Sequence, residues 1–123
     1  MIAHSLDTDL GILYVKPYGP LDAGDFTQLT AAVDPWIKDN GKLNALIIET
    51  PDFPGWSSLS AMIGHFKFAF NHEDHIRKIA LVTDSEAGEI AEKFVSHFVS
   101  AEIKHFHAGQ LENARHWARE GAV

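Results

Sequence analysis

The stretch LNALIIET, residues 43–50, limits the fold more than any other part of the chain. Leu43, Ala45, Leu46, Ile47 and Ile48 are apolar at odd and even positions alike, and the run is too short for a typical helix. Successive strand side chains point to opposite faces, so a strand apolar at both parities must be covered on both sides. Strands of that kind belong to parallel sheets inside α/β domains. The run RKIALVT at 77–83 makes the same demand. Cover for each face is expected from helices, a partner subunit or a ligand.

The rest of the chain alternates elements around these two runs. Residues 1–8 read as a modest strand, Asp9, Leu10 and Gly11 as a tight turn, and Ile12, Leu13, Tyr14 and Val15 as a stronger strand that closes a hairpin. Pro17, Gly19 and Pro20 end it. Asp22 can then cap a helix with the stripe Phe26, Leu29, Val33 and Ile37, which Gly41 stops. Pro35 lacks an N–H and crowds the carbonyl four residues back, so a kink is expected, or a second segment with Asp34 as its cap.

Beyond the first covered strand, Pro51 and Pro54 enforce an extended turn, and Ser57 or Ser58 can cap a helix with Leu59, Met62, Ile63, Phe66 and Phe70 on one stripe. Asp84 and Ser85 can cap another, with Ala87, Ile90, Ala91, Phe94, Val95, Phe98 and Val99 on one face. A short strand at 101–106 follows. Gly109 leads into a last helix carrying Leu111, Ala114, Trp117 and Ala118 on one side. The order β-β-α-β-α-β-α-β-α predicts an α/β fold: one domain over 1–123, a mostly parallel five-stranded sheet with one antiparallel edge strand, and four helices.

Bulk composition narrows the function. With 123 residues, 46% of them hydrophobic, the chain suits one domain with a true core. Ten Lys and Arg against 17 Asp and Glu give a net charge of -7, so a nucleic-acid backbone would be repelled. No cysteine is present, which removes disulfides, thiol nucleophiles and thiolate metal sites and suits a reducing compartment. The start MIAHSLDTD lacks a basic-then-apolar leader, and no apolar segment is long enough to span a bilayer. A cytoplasmic protein without an integral membrane segment is the expectation.

LDAGDF after the second strand, LIIETPDFPGW at the third and ALVTDS at the fourth, taken with the order of elements, resemble the SpoIIAA-like proteins of the STAS superfamily. The resemblance covers nearly the whole chain. It implies a non-enzymatic regulatory domain: STAS domains act as anti-sigma-factor antagonists switched by phosphorylation of a Ser or Thr where the third strand meets its helix, or as modules of anion transporters. It also implies likeness to CRAL-TRIO lipid-binding domains, in which a nonpolar ligand lies beside the sheet. Gly55 and Trp56 stand before Ser57 and Ser58 here, where the antagonist motif places an acidic residue directly before its hydroxyl.

These residues define the expected site. Phe53, Trp56, Met62, Phe66 and Phe70 form an apolar wall for a nonpolar or amphipathic small molecule, or else pack in the core. Ser57 and Ser58 either anchor its headgroup, accept a phosphate, or simply cap a helix, and Asp84 and Ser85 offer the matching corner after the next strand. A homodimer, or a regulatory protein partner, is expected. No cofactor is. His72 with His75, and His105 with His107, lack the third convergent ligand and spacing of a zinc site. No nucleophile elbow, P-loop or dinucleotide fingerprint occurs, so an enzyme would have to work through Glu49 or Asp52 as a base near Ser57.

Overall fold

The computed structural model describes residues 2–17, 23–50, 76–84 and 102–120. Five strands form one sheet in sequential order: β1 (Ile2–Asp7), β2 (Ile12–Pro17), β3 (Ala45–Glu49), β4 (Lys78–Val82) and β5 (Glu102–Phe106). β1 runs antiparallel to β2, and every other neighbouring pair is parallel. The mixed α/β sheet is thus the one read from the sequence. Two helices are described, α1 (Ala23–Asn40) and α2 (Leu111–Arg119), the latter entered through a 3-10 turn at Ala108–Gln110. The other two expected helices, after β3 and after β4, lie outside the described residues.

Asp7 sets the hairpin turn. Its Oδ1 accepts the amides of Asp9 and Leu10 at 3.0 and 3.1 Å, and Gly11 closes the turn onto the Asp7 carbonyl at 2.8 Å with a φ of 66°. That conformation favours glycine, and the indole of Trp36 presses on it from α1. The Trp36 Nε1–H donates to Thr8 O at 3.0 Å, which ties α1 to the turn.

β3 is buried along its whole length and serves two cores. Leu46 and Ile48 join Leu13, Val15, Ile79, Leu81 and Ile103 on one face, where Leu29 and Val33 of α1 cover them with Trp36 and Ile37 alongside. Ala45 and Ile47 join Ile12, Ala80, Val82 and Phe106 on the other, beneath Ala114 and Ala118 of α2. Small residues on both sides of this second contact let helix and sheet backbones approach closely. Each fully buried Leu, Ile or Val contributes about 1.5–3 kcal/mol, so the two-parity pattern of β3 is itself a large part of what holds both layers. The cover left open between helix, partner and ligand is supplied by helices at these positions.

Asp34 caps no second segment: one helix runs from Ala23 through Pro35 to Asn40. The flanking turns are anchored by Val33, Trp36 and Ile37, and that packing outweighs the single backbone bond a proline forfeits. Gly41 ends the helix as expected, with a φ of 93° and its amide on Ile37 O at 2.7 Å.

Candidate functional site

Open α/β sheets bind ligands outside the carboxyl ends of their parallel strands. Glu49 stands at that end of β3 and is only 9% exposed, so its carboxylate needs partners. β2 supplies two. The Tyr14 hydroxyl donates to Glu49 Oε1 at 2.6 Å, and Lys16 Nζ lies 3.3 Å from the same oxygen. Burial, then the hydrogen bond to Glu49 and its negative charge, push the Tyr14 phenol up to about 12 against the opposing pull of Arg115. Tyr14 therefore keeps its proton at neutral pH and acts as a donor, while Glu49 is held by two groups instead of facing a substrate.

The next strand ends are joined in the same way. Thr50 donates its amide to Val82 O and Thr83 donates to Phe106 O, both at 2.9 Å. His105 Nε2 lies 2.8 Å from Thr83 O. Asp84 Oδ1 accepts the amide of Ala108 at 2.9 Å and sits 4.0 Å from His107 Nδ1, both side chains being well exposed. Asp84, expected to cap a helix or anchor a ligand, thus spends one oxygen on joining the end of β4 to the entry of α2. His105 and His107 contact each other edge to face, 5.3 Å between ring centres, and among the described residues no group of three or more metal-ligating side chains occurs.

A second feature opens on the α2 side of the sheet. α2 packs chiefly across β3, β4 and β5, with Ile12 of β2 also in the cluster beneath it. A hollow of about 200 Å³ lies there, lined by Ser5, Asp7, Ile12, Tyr14, Ile47, Arg115 and Arg119. The Arg115 guanidinium stands 5.5 Å from the centre of the Tyr14 ring. None of Ser5, Arg115 and Arg119 was marked by sequence reasoning. The available signal was two arginines four apart on the final helix, on the side flanking its apolar stripe.

Of the residues expected at the site, Phe53, Trp56, Ser57, Ser58, Met62, Phe66, Phe70 and Ser85 lie outside the described residues, as do Asp52, His72 and His75. Glu49, expected only as a base, is instead an acceptor shared by Tyr14 and Lys16.

A single mixed sheet in sequential order, with a helix on each face, defines the class as a mixed α/β domain. The SpoIIAA-like family model matches residues 12–119, nearly the whole chain, and the protein belongs to that family. Membership supports, at the level of the family, a regulatory protein-interaction module. No curated protein and no solved structure matches the chain. Among the described residues, no helix is long and apolar enough to cross a membrane.

Proposed function

We propose that this protein is a regulatory binding domain with no reaction of its own, and that its ligand is a nonpolar or amphipathic small molecule held beside the sheet. One observation supports the non-catalytic part of this reading: among the described residues, the two carboxylates at the carboxyl rim are engaged in holding the fold. Glu49 is shared by Tyr14 and Lys16, and Asp84 is tied to Ala108. Tyr14, with its phenol pushed up to about 12, is no base at neutral pH. A catalyst needs a group near its working pH with a free geometry, and among the described residues Glu49 and Tyr14 serve each other as partners instead.

In the finer reading, the 51–58 segment and the residues after it form the ligand wall. Phe53, Trp56, Met62, Phe66 and Phe70 give apolar contact, and Ser57, Ser58 and Ser85 hold the polar end. A second reading is favoured by the family match: a protein-interaction module of the anti-sigma-factor antagonist kind, switched by phosphorylation at Ser57 or Ser58. Either form would work as a homodimer in the cytoplasm, without a cofactor.

Native mass spectrometry of protein purified from its source cells separates these readings. A lipid-sized adduct that is lost in Trp56→Ala supports the first, and an added phosphate that is lost in Ser57→Ala or Ser58→Ala supports the second. Turnover of esters or phosphoesters that disappears in Ser57→Ala would overturn the non-enzymatic reading.

A further inference from the structure

From the geometry of the hollow between α2 and the β1–β2 hairpin, we propose that it is a binding site for a small organic carboxylate with a compact apolar body. This site is independent of the 51–58 segment, and every residue it uses is on β1, β2, β3 or α2. The floor is apolar, made by Ile12 and Ile47, both in the core cluster beneath α2. Along the helix wall, Arg115 and Arg119 are one turn apart, a spacing that puts two guanidinium groups on one side of a helix. Ser5 adds a hydroxyl from the far strand.

Arg115 is the strongest observation in favour of an anion here. Its Nε is withdrawn from solvent and meets no hydrogen-bond acceptor within reach; the nearest carboxylate oxygen, Glu112 Oε1, is 3.7 Å away on a side chain that is 83% exposed. A solvated glutamate at that distance is a weak partner. Arg119 has no ion-pair partner among the described residues. A guanidinium offers parallel donors that fit the two oxygens of a carboxylate, and the Arg115 side chain as a whole is 40% exposed where it lines the hollow.

Charge and size choose the anion. Asp7 lines the same hollow, Glu49 lies behind Tyr14, and the chain as a whole carries -7, so a dianion such as phosphate meets more repulsion than a monoanion. The two turn amides on Asp7 Oδ1 hold part of its charge away from the site. A volume of about 200 Å³ is small beside typical cofactor pockets and suits a single ring or short chain over the two isoleucines.

The test is an NMR titration of the full chain with three probes: sodium benzoate, its uncharged analogue benzyl alcohol, and inorganic phosphate. Benzoate is expected to shift the Ile12 and Ile47 methyl signals and the Arg115 Nε–H signal saturably, with benzyl alcohol weaker by about tenfold or more and phosphate leaving the methyl groups unmoved. Arg119→Gln, at an exposed position, should weaken benzoate about tenfold while leaving the remaining spectrum intact, and Arg115→Gln should do so more strongly. Equal affinity for benzoate and benzyl alcohol, unchanged affinity in Arg119→Gln, or no saturable shift at all would overturn the proposal. None of these outcomes bears on the adduct and phosphate measurements at Trp56, Ser57 and Ser58.

Discussion

Gly11 answers two demands at one position, a left-handed backbone and a missing side chain. A Cβ added there would sit 2.3 Å from Trp36 Cη2 and 2.5 Å from Cζ2, closer than atoms can approach. Gly41 shares the positive φ but has open space around the same point. The pair therefore separates strain from packing. Gly41→Ala should cost about 1 kcal/mol, the backbone penalty alone, whereas Gly11→Ala should cost about 3 kcal/mol because Trp36 must also leave its place and its bond to Thr8. Urea unfolding of both variants measures the difference, and equal losses would mean the indole yields freely. Tyr14 allows a test by pH. Its phenol ionises near 10 when unfolded and is pushed up to about 12 when folded, so the folded state holds the proton more tightly. The stability this gives is whole below pH 10 and lost as pH rises toward 12. Stability should accordingly fall across that window in the natural protein and fall less in Tyr14→Phe. At this scale the sequence is hard to read. A glutamate ending an apolar strand announces that it needs partners, but only the register that sets Tyr14 against Ile47 reveals which side chains supply them.

Helix α2 is short, and it depends on the sheet at both ends. Lys78 of β4 reaches across to its carboxyl end, Nζ donating to Trp117 O at 3.0 Å and to Glu120 O at 2.8 Å while standing 4.9 Å from the centre of the Trp117 ring. Trp117 O also accepts the capping amide of Glu120 at 3.2 Å, and a cation at this end meets the negative end of the helix dipole. Lys78→Met keeps most of the aliphatic stem and removes the charge and the donors. It should cost about 1–2 kcal/mol and speed hydrogen exchange in the last turn of α2, with the β4 amides unchanged. If the β4 amides lose protection equally, the lysine is acting on the strand instead. Element by element, the strands and α2 were legible because two-parity and one-face patterns state burial directly. Of the two outcomes expected at Pro35, a kink or a second segment, the second does not occur, and the packing of Val33, Trp36 and Ile37 in the core keeps α1 in one piece. The hollow beside α2 was not legible at all. It lies between Arg115 and Arg119 of α2 and residues of β1, β2 and β3, a juxtaposition that has no counterpart in any single segment.

The molecule as a whole is a sheet shared by two cores, and this makes a definite claim about how it unfolds. β3 sits in the middle of the order, and its side chains alternate between the two clusters: Leu46 and Ile48 toward α1, Ala45 and Ile47 toward α2. Neither layer can separate without exposing strands whose other face belongs to the remaining layer. Exposed apolar area costs about 25 cal/mol per Å², so the loss of one layer removes support from both. Trp36 reports on the first cluster and Trp117 on the second. In a variant that keeps only Trp36, and in one that keeps only Trp117, the fluorescence midpoint in urea should coincide with the far-ultraviolet circular dichroism midpoint of that same variant. Each comparison is internal, so a change in stability from removing the other indoles does not matter. If Trp117 fluorescence changes at lower urea than the strand signal, α2 is a detachable layer and not half of a shared core. The hollow proposed for the carboxylate would then open before the fold is lost, because Arg115 and Arg119 leave with the helix while Ser5, Ile12 and Ile47 stay with the sheet.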